Sequence, residues 1–179
     1  RSLGANHTGV LYDGIALGDA QGGQIDLGKF SLDNIAQIEL YNSGPVEILA
    51  TARAFSYGSV LALKTTANKL NDTNEKEINI KITKGSFGYY SPAIAYKQNI
   101  GKKFTTGFNA QYQTSKNQYP YTSYENNNVA QKRTNSDIIA YRFEYDASLL
   151  INDSNKINFK TYYFNSERGL PGAIILYNN

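Results

Sequence analysis

The sequence of 179 residues contains no cysteine, no methionine and no tryptophan, and it has one histidine. Without cysteine the chain has no disulfide framework, no thiolate nucleophile and no cysteine-based zinc site. The single imidazole of His7 cannot anchor a transition-metal site by itself, so we predict neither a metal site nor a cofactor. A natural chain begins with methionine, whereas this sequence begins with Arg1, which predicts a fragment or a processed product.

Long apolar runs and a large excess of one charge are also missing. No run approaches the roughly 20 apolar residues that a membrane-spanning helix needs. Lysine and arginine number 18 against 15 acidic residues, and no basic stripe could track a phosphate backbone. Nucleic acid is therefore not an expected partner, and any membrane-spanning part would have to consist of strands.

The first third of the chain has the pattern of small α/β elements. Residues 9–15 (GVLYDGI) predict a short strand that ends in an Asp-Gly turn. Residues 31–35 (SLDNI) predict a helical turn with Ser31 as its N-cap. Residues 37–41 and 59–65 alternate in polarity as half-buried strands do.

A second pattern begins after a polar segment, so we expect one domain over residues 1–68, a linker over 69–77 and another domain over 78–179. The 15 tyrosines and 8 phenylalanines are scattered among polar residues, which suits sheets with one apolar and one wet face. Nearly strict alternation predicts three such strands, over residues 104–113, 139–149 and 157–163. Weaker alternation predicts two more, over residues 78–82 and 93–96.

The connections between these strands differ in length. Residues 99–102 (NIGK) and 152–155 (NDSN) predict tight turns, whereas residues 115–137 predict a long loop. Short turns at one end and long loops at the other are typical of an outer-membrane barrel. Several tyrosines fall near the long-loop end, where they would form an aromatic girdle at a membrane interface: Tyr89, Tyr90, Tyr112, Tyr141 and Tyr163. A soluble antiparallel sheet is the alternative interpretation.

The first part of the chain also resembles a known family. Residues 10–45 (VLYDGIALGDAQGGQIDLGKFSLDNIAQIELYNSGP) are similar to the second half of the plug domain of TonB-dependent outer-membrane receptors. Residues 58–65 (GSVLALKT) stand where that family has the strand leading to the barrel. Ser43 replaces the family's arginine before Gly-Pro, and residues 48–59 depart from its pattern. Together with residues 168–172 (RGLPG), the stretch DAQGGQIDLGKFSLDNI looks most like the cobalamin receptor branch.

The resemblance implies a mainly β fold. It would be a fragment of a plugged transmembrane antiparallel β-barrel, with the C-terminal half of a small α/β plug followed by about five strands of an incomplete barrel. The implied function is TonB-dependent uptake of cobalamin or a similar scarce nutrient across the bacterial outer membrane, with the plug occluding the pore. Iron chelates and oligosaccharides are alternative ligands. The implied partners are outer-membrane lipid, the nutrient, a surface lipoprotein and, through an N-terminal segment outside this sequence, a TonB-type energy-coupling protein.

Two groups of residues are candidates for contacting the ligand. In the resembled family, the first group is a loop at the plug apex, where glycine allows a bulky ligand to approach and glutamine supplies amide groups: Asp19, Ala20, Gln21, Gly22, Gly23 and Gln24. The second group consists of rings and amides in the long loop, for which a solvated loop is the alternative: Tyr119, Tyr121, Tyr124 and Asn126.

We predict no catalytic residues and no enzyme activity. Asp13, Asp19 and Asp26 could be imagined as a carboxylate pair for acid–base catalysis, but they lie in polar turns without a partner base. The nearby glycines match neither phosphate-loop pattern. A hydrolase that uses these aspartates, and a soluble or surface-anchored all-β binding or adhesion module, are the alternatives from other functional classes.

Overall fold

The computed structural model describes residues 7–18, 25–42, 51–65, 75–122, 129–152 and 154–172. This part of the chain is mainly β and contains several antiparallel pairings, as the sequence predicts. Contacts within the chain group it into two compact units, Arg1–Lys69 and Leu70–Asn179. No helix in the described ranges is long and apolar enough to cross a membrane.

A four-stranded sheet forms the centre of the first unit. Its strands have the spatial order β2-β1-β4-β3, and β1 runs parallel to β4 while the other neighbours are antiparallel. The strands are β1 (Thr8–Tyr12), β2 (Ile15–Leu17), β3 (Ile35–Tyr41) and β4 (Ser59–Thr65).

The Asp-Gly turn predicted for residues 9–15 joins β1 to β2. Asp13 has a φ of 48° and Gly14 a φ of 82°, and Tyr12 pairs with Ile15 across the turn. A two-residue hairpin of this type requires positive φ at both central positions, and the Asp-Gly dipeptide meets that requirement. The sequence therefore predicted the turn correctly, but the residues after it form a second strand.

Apolar side chains cover both faces of this sheet. On one face Tyr12 stacks on Phe30 with ring centroids 4.9 Å apart, and Leu63 joins the same cluster. On the other face Val60 packs with Ala54, which belongs to the one-turn helix α1 (Ala52–Phe55). Burial on both faces explains why β1 and β4 carry runs of consecutive apolar residues, since a strand with one wet face would alternate. The prediction of a half-buried strand over residues 59–65 was therefore wrong for β4, because Leu63 packs on one face and Val60 and Ala62 pack on the other.

Two one-turn 3₁₀ helices, Leu27–Lys29 and Leu32–Asn34, lie between β2 and β3. Ser31 is the N-cap of the second, as predicted, and its hydroxyl accepts a hydrogen bond from Asp33 N at 3.3 Å. The Asp26 carboxylate caps the first in the same way, accepting from Gly28 N at 2.8 Å. These side chains satisfy backbone donors that so short a helix leaves unbonded.

The second unit holds a five-stranded antiparallel sheet with the spatial order β11-β10-β7-β6-β5. All five predicted strands are present, and each is longer than the alternation alone indicates. Their bounds are β5 (Lys76–Lys84), β6 (Tyr90–Ile100), β7 (Phe104–Ser115), β10 (Ile138–Asn152) and β11 (Asn155–Arg168). Within the described residues β5 and β11 are open edges, so these strands do not form a closed barrel.

The predicted long loop over residues 115–137 is not entirely irregular. It contains a small hairpin that was not predicted, formed by β8 (Pro120–Thr122) and β9 (Ala130–Lys132). Three-residue strands are too short to establish a period of two, so alternation could not reveal them. The loop leaves the sheet at the same end as the short link between β5 and β6.

Burial on the five-stranded sheet is the reverse of that in a water-soluble sheet. One face, here called the apolar face, exposes large hydrophobic side chains: Ile78, Ile80, Ile82, Ile94, Phe108, Tyr141, Phe143 and Phe159. The opposite face, here called the polar face, buries polar and charged side chains: Ser91, Lys97, Asn99, Asn109, Arg142 and Glu144. Ile80, for example, is 68% exposed, whereas Arg142 is 8% exposed.

Candidate ligand-contacting surface

The predicted plug apex loop, residues 19–24, lies outside the described residues, but both of its flanks are described. β2 ends at Leu17 before the loop, and Asp26 caps a 3₁₀ helix after it. Arg53 of α1 packs against the first flank: a Cβ on Gly18 would lie 2.6 Å from Arg53 Nη2. A side chain at position 18 would therefore displace the guanidinium from Gly18.

Arg53 is held beside Gly18 by Tyr57. Its Nε donates a hydrogen bond to Tyr57 Oη at 3.1 Å. The Tyr57 ring in turn lies directly over Gly9, where an added Cβ would come within 2.1 Å of the ring. A guanidinium oriented in this way suits carboxylate, phosphate or carbonyl oxygens.

Arg53 and Tyr57 were not predicted from the sequence as candidate contacts. The available signal was Gly9, since an isolated glycine in an otherwise apolar strand marks a place where another group approaches the backbone closely. That signal gives the position of the close approach but not the identity of the approaching residue.

Of the four candidates in the long loop, Tyr119 and Tyr121 are described, and Tyr124 and Asn126 are not. Tyr119 is 41% exposed, and its ring meets Phe87 edge-on with centroids 6.3 Å apart. Tyr121 Oη donates to Gln131 Oε1 at 2.9 Å, across the β8–β9 hairpin. Tyr119 thus offers an exposed ring to a ligand, whereas the Tyr121 hydroxyl stabilises the hairpin.

Side-chain to backbone hydrogen bonds hold the base of the long loop together. Asn117 Nδ2 donates to the Ser136 carbonyl at 2.9 Å, and Ser136 Oγ donates to the Asn117 carbonyl at 3.0 Å. Asn135 Nδ2 donates to the Leu170 carbonyl at 2.9 Å. The RGLPG segment (residues 168–172) therefore lies beside the base of the long loop. Hydrogen bonds between the two ends of the loop, and to this segment, fix the base from which the β8–β9 hairpin extends.

Arg142 is the centre of a hydrogen-bond network on the polar face. Its Nη1 donates to Gln113 Oε1 at 3.0 Å and to Gln111 Oε1 at 3.3 Å, and Gln111 Nε2 donates to Ser91 Oγ at 3.0 Å. The guanidinium carbon also lies 5.2 Å from the centroid of the Phe164 ring. A buried cation is costly unless neighbouring groups compensate for its lost hydration, and these contacts on four strands offset part of that cost.

The aspartates that were considered for catalysis have structural contacts where they are described. Asp13 accepts hydrogen bonds from Thr65, and Asp26 caps a helix, while Asp19 lies outside the described residues. In the part of the chain that is described, no three side chains of His, Cys, Asp or Glu come together in an arrangement that could hold a metal ion.

One carboxylate in the first unit has a shifted pKa. The Tyr41 hydroxyl donates a hydrogen bond to Glu39, and Lys64 Nζ lies 3.0 Å from Glu39 Oε2. Both contacts favour the ionised carboxylate and lower the pKa of Glu39 below its ordinary value, with the Tyr41 hydrogen bond contributing most.

No protein-family model and no curated protein matches this chain. A functional conclusion therefore depends on the geometry within each unit and on the family resemblance of residues 10–45, 58–65 and 168–172.

Proposed function

We propose that this chain is part of a TonB-dependent outer-membrane receptor. In this proposal the first unit is the C-terminal half of the plug, and the second unit contributes the first strands of the transmembrane barrel. The observation that carries the proposal is the reversed burial of the five-stranded sheet, in which Ile80 is exposed and Arg142 is buried.

The isoleucines of β5 would make the apolar face energetically costly in water. Ile78, Ile80 and Ile82 are between 60% and 68% exposed and lie on the same face. Fully burying one such side chain stabilises a protein by about 1.5–3 kcal/mol, and water around all three would forfeit that stabilisation. Lipid hydrocarbon would remove the penalty along the whole apolar face, while the polar face would line a water-filled or plugged lumen.

The positions of the tyrosines support the same placement. Tyr112 pairs with Tyr141 at the long-loop end of β7 and β10, and their ring centroids are 5.2 Å apart. Tyr90 lies at the same end of β6, paired with Thr114. Rings with a polar hydroxyl are stable where hydrocarbon meets lipid headgroups, so this end of the sheet would lie at a membrane interface.

Cobalamin is the proposed ligand because of the sequence resemblance, and residues 19–24 and Tyr119 are the proposed contacts. The role of the chain is binding and pore occlusion, without covalent chemistry. Outer-membrane lipid, a TonB-type energy-coupling protein and a surface lipoprotein are the proposed partners. Calorimetry with cyanocobalamin at micromolar concentrations tests the ligand: absence of heat would exclude cobalamin and favour an iron chelate or an oligosaccharide.

A pair of lysine substitutions on β5 tests the membrane placement. Ile80→Lys puts a charge at the middle of β5 on the apolar face and should destabilise the folded protein in lipid by about 2–4 kcal/mol, whereas Asn79→Lys, on the opposite face, should cost much less. Denaturant titration of both variants in vesicles measures the difference. A soluble adhesion module predicts the contrary result, because a lysine replacing an exposed isoleucine in water should change stability by only about 0.5 kcal/mol.

A further inference from the structure

The apolar face of the second unit carries an open groove of about 320 Å³ with an almost entirely apolar lining. The floor lies over Pro92 of β6 and Ala110 of β7, whose short side chains leave a gap between larger neighbours. The register explains the gap, since Pro92 pairs with Ile82 and Ala110 pairs with Phe143. Four larger side chains form the walls: Ile80, Ile82, Tyr141 and Phe143.

The size and chemistry of the groove suit a flexible hydrocarbon chain. An apolar cavity of about 150 Å³ admits benzene, so a groove of about 320 Å³ accommodates a ligand roughly twice as large. A peptide in the groove would bury backbone amides without partners, because the lining offers almost no polar atoms. A hydrocarbon chain has no such groups to satisfy.

A positive charge lies at the long-loop end of the groove. Lys84 follows Ile82 by two residues on the same face of β5, which places it about 7 Å further along the strand. Its Nζ lies 6.0 Å from the centroid of the Tyr90 ring, in the aromatic end of the sheet. Lys84 therefore brings a cation to the aromatic end of the apolar face.

We propose that this groove binds one acyl chain of an anionic membrane lipid, with a headgroup phosphate at the Lys84 ammonium. The site rests on the proposed placement of the apolar face in a membrane. General lipid contact would cover the whole apolar face. The proposed site goes beyond that contact, because it holds one lipid at one position and selects the charge of its headgroup.

Native mass spectrometry of the intact protein in detergent tests the site, with phosphatidylglycerol and phosphatidylcholine as the added lipids. Ala110→Phe fills the floor of the groove, and bound phosphatidylglycerol should be lost. Ala147→Phe is the matched control, since Ala147 lies on the same face of β10 outside the groove, and it should retain the lipid. Ala110→Val is a milder variant in case the phenylalanine prevents folding, and it should weaken binding.

A second pair of variants tests the headgroup. Lys84→Gln should weaken phosphatidylglycerol binding about fivefold and bring it close to phosphatidylcholine binding, because one lysine near a lipid surface contributes about that factor. Lys76→Gln, at the other end of the same face of β5, should leave both affinities unchanged.

Three results would overturn the inference. Retention of phosphatidylglycerol by folded Ala110→Phe would show that the chain does not lie in the groove. Equal binding of phosphatidylglycerol and phosphatidylcholine by the unaltered protein would show that Lys84 does not select an anionic headgroup. A dimer that Ala110→Phe dissociates would show that a second copy covers the groove. A protein that stays monomeric in buffer without detergent would instead contradict the membrane placement itself, so the two failures are distinguishable.

Discussion

Asp13 and Thr65, which are 52 positions apart, are joined by two hydrogen bonds. Thr65 N donates to Asp13 Oδ1 at 2.7 Å, and Thr65 Oγ1 donates to Oδ2 at 2.8 Å. The backbone adds a third contact nearby, from Asp13 N to the Leu63 carbonyl at 2.9 Å. The turn between β1 and β2 is therefore attached to the last residues of β4, and both oxygens of one carboxylate take part.

Removing this carboxylate should destabilise the first unit. Asp13→Ala leaves the partly buried Thr65 donors without their acceptors and places alanine at a φ of 48°, so we expect a loss of about 1–3 kcal/mol in the free energy of unfolding. Asp13→Asn is the control, because asparagine tolerates positive φ and keeps one acceptor oxygen, and it should cost less. Denaturant unfolding measures both, and equal stabilities of the two variants would contradict the role of the hydrogen bonds.

The contact between Gly9 and Tyr57 predicts a coupled pair of substitutions. Gly9→Ala inserts a methyl group where the Tyr57 ring already lies, and such overpacking should cost about 1–3 kcal/mol. Truncating the ring in Tyr57→Ala frees the space, so Gly9→Ala should cost much less in that background. A double-mutant cycle on unfolding free energies measures the coupling. Strictly additive effects on the free energy of unfolding would show that the Tyr57 ring is not the cause of the destabilisation by Gly9→Ala.

How far the sequence could predict this structure depends on the length of the pattern. The residues of β7 and β10 alternate in polarity over ten or more positions, and both strands were predicted. β2, β8 and β9 have three residues each and carry no usable period. Ser31 was predictable as a cap because the signal is local, within three residues.

Arg53 and Arg142 illustrate what the sequence could not supply. Arg142 reaches Gln113 on another strand, and Arg53 reaches Gly18 from a separate helix, so both contacts depend on tertiary register. The alternation over residues 139–149 places Arg142 opposite the aromatic side chains of that strand, but it could not identify the partners of Arg142. No local pattern distinguished Arg53 from other exposed arginines.

The lowered pKa of Glu39 predicts a contribution to stability that depends on pH. Because Tyr41 and Lys64 favour the ionised carboxylate in the folded state, its pKa is lower there than in the unfolded chain. The folded state then binds fewer protons, and the contribution is fully present above the ordinary pKa of about 4.3. It should disappear as the pH falls through the lower folded-state pKa.

Glu39→Gln removes the titrating group while keeping a hydrogen-bond acceptor for Tyr41. The free energies of unfolding of Glu39→Gln and the unaltered protein should therefore converge as the pH is lowered from about 5 to about 3. Denaturant titrations across that range measure the convergence. A constant difference between the two proteins at every pH would contradict the assignment.

The two glycines of the predicted apex loop should affect ligand binding without affecting assembly. If residues 19–24 approach a bulky ligand through their backbone, Gly22→Val with Gly23→Val introduces two branched side chains into that contact. We expect affinity for cyanocobalamin to fall at least tenfold, equivalent to about 1.4 kcal/mol. The matching pair of alanine substitutions adds only a methyl group at each position and should lose less affinity.

Calorimetry on the intact protein measures both pairs of variants, and thermal unfolding in detergent checks that assembly is unchanged. Because the loop lies between the flank that Arg53 contacts and the helix that Asp26 caps, a structural role would reduce stability in the valine variant without a selective change in binding. Unchanged affinity in a stably folded valine variant would assign ligand recognition to other segments, of which the loop around Tyr119 is the first candidate.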